Sequence, residues 1–146
     1  YFYKNVYCPV HFACKNGRTK PFAGEAECMA ALERAGIKRA VVTNKSQRAA
    51  DELGETLLKP YGFSAVFGNR DGVPVTPDPT LALIGAAPSE AAFVGDGETD
   101  VQTAKNAGMR SVSVLWGYRP KEVLVSAGAE RFARTFSELA QILLSM

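Results

Sequence analysis
The chain has 146 residues, of which 47% are hydrophobic and 22% charged, which is enough apolar material for one packed domain and too much for a disordered one. Seventeen basic against 15 acidic residues leave a net charge of +2, too even a balance to favour nucleic acid as a partner. No run of about eighteen apolar residues is present and no basic-then-apolar leader, so neither a membrane span nor secretion is expected. Three cysteines, Cys8, Cys14 and Cys28, with His11 as the single histidine, fit no zinc spacing. They read as free thiols of a reducing cytoplasm.

In chain order, residues 1–14 stand apart. Tyr1, Phe2, Tyr3, Tyr7 and Phe12 make this stretch aromatic and helix-like, and the opening on Tyr1 suggests that a longer chain precedes it. The polar stretch Lys15-Asn16-Gly17-Arg18-Thr19-Lys20 reads as a linker. From about residue 20, amphipathic helical segments alternate with short apolar β-type runs. Residues 25–35 place Cys28, Ala31, Leu32 and Ala35 on one stripe, and Gly36 follows as a C-terminal cap. Residues 39–43 form the first β run. A helix over 46–59, with Ala50, Leu53 and Leu57 on one face, is expected to end at Pro60. A weaker β run covers 64–67. Asp78-Pro79 has the form of an N-cap followed by proline in the first turn. Two stronger β runs follow at 91–95 and 111–116. Thr135 and Glu138 form a capping box for a last helix with Phe136, Leu139, Ala140 and Leu143 on its buried stripe. This rhythm predicts an α/β layered fold with a parallel sheet and right-handed crossovers.

In open α/β sheets, sites form at the carboxyl ends of strands. After the first run comes Thr43-Asn44-Lys45-Ser46, which offers a hydroxyl, an amide and unpaired backbone N–H groups for a phosphate; simple capping by Asn44 or Ser46 is the alternative. After the third comes Gly95-Asp96-Gly97-Glu98-Thr99-Asp100. Two carboxylates so close suit a hard cation such as Mg2+ between them, although acidic residues also favour helix N-termini for their own sake. The spaced glycines do not make a dinucleotide fingerprint, because Asp100 occupies the third glycine position. Between these lies the proline-rich stretch 69–79, which is either a stiff structural loop or part of the site.

Taken together these segments resemble the haloacid dehalogenase superfamily, and within it the phosphoglycolate phosphatase-like members. Val41-Val42-Thr43-Asn44-Lys45 is similar to that family's second motif. Val94-Gly95-Asp96 through Asp100 and on to Gly108 is similar to its fourth. Trp116-Gly117-Tyr118 and the stretch from Gly128 to Leu139 resemble its C-terminal part. The resemblance implies a three-layer Rossmann-like core with a parallel sheet over residues 20–146. Residues 1–19 would be the last helix of a helical cap domain and its linker. It implies a Mg2+-dependent phosphatase working through an aspartyl-phosphate intermediate on a small phosphorylated metabolite such as phosphoglycolate. Thr43 and Asn44 would be catalytic and, with Lys45 and the third-motif position Thr76, would bind the phosphate; Asp96 and Asp100 would hold the metal. Trp116 would stand at the pocket rim or in the core.

Two departures matter. The family carries Asp-x-Asp-Gly-Thr at the end of its first, central strand, whereas the aspartates here are Asp51, Asp71, Asp78, Asp96 and Asp100, with no pair separated by one residue. The nucleophile and general acid/base are therefore missing from this chain, and it is expected to be an inactive fragment with exposed strand edges that another chain or a second copy could cover. The family also has a lysine before Pro-Asp-Pro, where this sequence has Thr76; Lys45 and Arg70 are the cations close by in sequence. Two other readings follow: a non-catalytic relative that binds a phosphorylated metabolite or a partner protein, and, less well supported, a receiver-type signalling domain, which would need an early acidic pair.

Overall fold
A computed structural model describes residues 21–70 and 84–146. The elements in order are α1 (Glu25–Arg34), β1 (Ala40–Ser46), α2 (Gln47–Glu55), a 3-10 turn (Lys59–Tyr61), β2 (Ala65–Asn69), a second 3-10 turn (Pro88–Glu90), β3 (Ala92–Gly95), α3 (Glu98–Asn106), β4 (Arg110–Val114), α4 (Lys121–Ser126), β5 (Phe132–Ala133) and α5 (Phe136–Leu144). The helix expected over 1–14, the linker, the Asp78-Pro79 cap and Thr76 lie outside the described residues.

The fold is α/β, with every strand pair parallel. Strands β3, β4 and β5 form one sheet in that order, and β1 and β2 form another. Strand β4 is buried on both faces, Val112, Ser113 and Val114 being 1%, 2% and 7% exposed, as a parallel strand covered by helices must be. On one face Val112 and Val114 pack with Cys28 and Leu32 of α1 and with Leu139 and Ala140 of α5. A second cluster joins Val101 of α3, Leu124 of α4 and Ala129. Helix α2 packs on β1 and β2. Burial raises the Cys28 thiol above its ordinary value, with the Glu25 charge adding to the effect, so the group stays a neutral part of the core.

The helix stripes form where the periodicity puts them, with corrections at the ends. In α1, Cys28 and Leu32 are buried and Gly36 takes the left-handed conformation just past the helix (φ 71), but Ala35 is exposed. The second helix stops at Glu55, before Pro60, which instead lies within the 3-10 turn Lys59–Tyr61. It also starts one residue late, because Ser46 still belongs to β1 and makes no side-chain cap bond. The run at 111–116 ends as a strand at Val114; Trp116 lies beyond it and stacks on Phe136 with ring centroids 4.7 Å apart, among the core contacts. The Thr135 hydroxyl oxygen accepts from the Glu138 N–H (3.1 Å), while the Glu138 carboxylate accepts from Arg134 N rather than closing the box on Thr135. Helix α4 and strand β5 have no counterpart among the expected elements.

Among the described residues β1 pairs only with β2, and β3 only with β4. Their remaining edges border one cleft of about 1220 Å³, lined by Ala40, Val41 and Val42 from one side and Phe93, Val94 and Gly95 from the other. Val94, mid-strand and apolar, is 39% exposed there.

Candidate active site
The site elements leave the carboxyl ends of β1 and β3. In the β1–β2 ladder Val42 pairs with Phe67 and Ser46 with Asn69, so four steps on β1 face two on β2. Residues 43–45 therefore bulge out of the ladder. Thr43 is half-buried and its hydroxyl oxygen accepts from Lys45 N at 3.3 Å, which leaves the hydroxyl hydrogen to donate elsewhere; Asn44 and Lys45 are exposed. The bulge passes so near β2 that a Cβ on Gly68 would sit 2.8 Å from the Lys45 carbonyl oxygen and 2.7 Å from Gln47 Cα. Only glycine fits there.

The second loop is built around two carboxylates. The Asp100 Oδ2 accepts from Asp96 N (3.0 Å) and Gly97 N (2.9 Å), folding the turn over the first turn of α3. A Cβ on Gly95 would lie 2.3 Å from that carboxylate, so the strand must end in glycine for Asp100 to reach the turn. Asp96 is held from the far side: its Oδ2 accepts from Tyr118 N at 2.8 Å. Here again a side chain is excluded, because a Cβ on Gly117 would lie 2.1 Å from the Asp96 Cβ. The loop after β4 is fastened a second time where Arg119 Nε meets Glu98 Oε2 at 2.8 Å. The Glu98 carboxyl lies below its ordinary value, first through a backbone hydrogen bond at its own residue; desolvation works against this, and the hydrogen bond and charge of Arg119 add to it.

Asp96 and Asp100 are thus brought together in one hydrogen-bonded turn. Each has one oxygen committed to backbone N–H groups, and the other oxygen of each lies outside these bonds. Among the described residues no group of three or more His, Cys, Asp or Glu side chains is placed to hold a metal. Two carboxylates offer oxygen donors only, the kind a hard cation takes, and alone they would leave most of its ligands to water and further groups. Asp96 lines the cleft, whereas Thr43, Asn44 and Lys45 stand at the end of the strand forming its opposite wall and do not line it. Trp116-Gly117-Tyr118 stood out only through the family resemblance; that Tyr118 N and Gly117 meet Asp96, and that Arg119 meets Glu98, was not legible, because each contact spans some twenty residues between separate elements.

The family model of haloacid dehalogenase-like hydrolases matches residues 4–114. A phosphoglycolate phosphatase of Mesorhizobium japonicum is 36% identical over 112 residues, 73% of this chain and 49% of the relative. The phosphoglycolate phosphatase of Salmonella typhi is 32% identical over 123 residues, again 49% of its length. A crystal structure of a Lactobacillus delbrueckii protein, provisionally assigned as a phosphoglycolate phosphatase, superposes with a TM-score of 0.91 at 29% identity; it covers 97% of this chain and 61% of that one. The chain spans about half the length of these curated relatives. With the model matched across most of its length and the fold shared, the chain belongs to the haloacid dehalogenase-like hydrolase family and is similar within it to phosphoglycolate phosphatases.

Proposed function
We propose that the whole protein is a Mg2+-dependent phosphatase for a small phosphate monoester of the phosphoglycolate kind, and that this chain is its C-terminal part without the nucleophile motif. The observation that carries the reading is the Asp96 carboxylate, gripped by Tyr118 N at the border of a cleft between two strand edges that have no partner among the described residues. A strand filling that cleft would pair with both β1 and β3, and its carboxyl end would emerge between the Thr43 bulge and Asp96. An aspartate there is the nucleophile this chain lacks. Its carboxylate oxygen would bond to phosphorus as the ester P–O bond breaks, the leaving oxygen taking a proton from the general acid that this chain also lacks; water attacking phosphorus would then release inorganic phosphate and restore the carboxylate. Thr43 would donate its hydroxyl hydrogen to a phosphoryl oxygen, and the Asn44 backbone would shape the same pocket. Asp96 and, directly or through water, Asp100 would hold Mg2+, which when bound supplies charge neutralisation and orientation of the phosphate. Residues 1–19 as the end of a cap domain, a cytoplasmic location, and the absence of nucleic acid or membrane partners belong to the same reading. No helix among the described residues is long and apolar enough to cross a membrane.

The test is hydrolysis of p-nitrophenyl phosphate by the full-length protein with and without Mg2+, beside Asp96→Asn. Metal-dependent turnover lost in the variant supports the reading. Thr76, in place of a lysine, supports the second one, a relative that binds phosphate esters without turnover. That reading is the correct one if the full-length protein binds inorganic phosphate but releases no nitrophenol. For the isolated chain the open cleft predicts no turnover and self-association at high concentration, which sedimentation would reveal.

A further inference from the structure
We infer that Arg70, held in place by Gln47, binds the phosphoryl group at the Thr43–Lys45 bulge and supplies the cation that Thr76 cannot. The inference rests on the phosphatase reading, but its evidence is separate. Gln47 is the first residue of α2, immediately beyond the bulge, and both ends of its amide are in use. Its Nε2 donates to Asp51 Oδ1 (2.6 Å) and to the Val66 carbonyl (3.1 Å); its Oε1 accepts from Gly68 N (2.8 Å) and from Arg70 Nε (3.1 Å). With two acceptors on one end and two donors on the other, the amide has one orientation, and Arg70 is tied to it. The guanidinium also lies over the Phe67 ring, 5.6 Å from its centroid.

Such a double anchorage is unusual for an exposed arginine, which ordinarily keeps its rotamer freedom. What it achieves is position. Arg70 directly follows β2, and the Ser46–Asn69 pairing sets this strand end alongside the bulge. Only Nε is engaged; among the described residues neither terminal nitrogen has a partner. These two nitrogens form the fork that matches two oxygens of a phosphoryl group, and ordering it beforehand lowers the entropy lost on binding. The same glycine that admits the bulge, Gly68, also donates the N–H that fixes Gln47. One short segment of β2 therefore shapes the bulge and aims the cation.

The test uses full-length protein and inorganic phosphate as the probe. Dissociation constants from calorimetry are compared for wild type, Arg70→Ala, Arg70→Lys and Gln47→Ala, with melting temperatures, and with KM and kcat for p-nitrophenyl phosphate. Arg70→Ala is expected to weaken phosphate binding about tenfold or more with little change in melting temperature. Arg70→Lys should recover only part of this, because an ammonium cannot form the fork. Gln47→Ala should weaken binding in the same direction, by less. Phosphate affinity and KM within twofold of wild type in folded Arg70→Ala would overturn the inference. If the protein shows no turnover, yet Arg70→Ala still loses phosphate, the hydrolase reading fails and the role of Arg70 stands.

Discussion

Asp100 offers the sharpest test of how the acidic turn works, because its geometry makes it a clamp on Asp96 before it is anything else. Replacing it with alanine removes the acceptor of two backbone N–H groups, at 3.0 and 2.9 Å. Hydrogen bonds to a charged acceptor contribute about 1.5–3 kcal/mol each when well buried. Asp100 is only half-buried and the two bonds share one oxygen, so the low end applies, with about 0.5 kcal/mol more for a lost anion at the start of α3. The expected loss is about 2–3 kcal/mol, or roughly 4–10 °C in melting temperature for a protein of this class. Asparagine keeps an oxygen that can accept both N–H groups and loses only the charge, so Asp100→Asn should lose about 1 kcal/mol. Mg2+ titration by calorimetry then separates the two roles. If Asp100 acts mainly through Asp96, the asparagine variant keeps most of the metal affinity and the alanine variant does not. Equal and large losses of affinity in both would make Asp100 a ligand first. An alanine variant that melts with the wild type would refute the clamp altogether.

Three further outcomes follow from the same geometry. Gly117→Ala forces a Cβ to within 2.1 Å of the Asp96 Cβ, so Asp96 or the loop must move; turnover of the full-length protein should fall about a hundredfold, as expected for a misplacement of order 1 Å, while Asp96→Gly combined with Gly117→Ala should melt higher than Gly117→Ala alone. Because the Glu98 carboxyl lies below the ordinary 4.5, its contribution is full above that pH and fades as pH falls through the lowered folded value. The gap in melting temperature between wild type and Glu98→Gln should therefore narrow below about pH 4.5, and a gap independent of pH there would contradict the Glu98–Arg119 pairing. Leu124, fully buried on α4, should lose about 2–5 kcal/mol on truncation to alanine, read by urea unfolding; a loss below about 1 kcal/mol would mean that the α3–α4 cluster is not a close-packed core.

What the sequence determined by itself was local. The stripe of α1, the glycine that ends it, the Thr135 cap of α5 and the apolar runs of β1, β3 and β4 follow from side-chain period and backbone preference within a few residues. So did the order of the Thr43 and Asp96 segments at strand ends, which carried the family resemblance. Elements too short to show a period escaped: α4 has six residues and β5 two, and β5 exists because Ser113 and Val114 pair with it. Boundaries shifted as well, since pairing with Asn69 carries β1 through Ser46, whereas the local pattern ends the β run at Thr43 and opens a helix at Ser46. Much of the geometry of the candidate site lay in tertiary contacts. Asp96 is aimed by an N–H twenty-two residues away, and Arg70 by an amide twenty-three residues back. Whether a glycine at 68, 95 or 117 is obligatory depends on which side chain or backbone comes to lie against it, and that is fixed only when separate strands and loops are packed together.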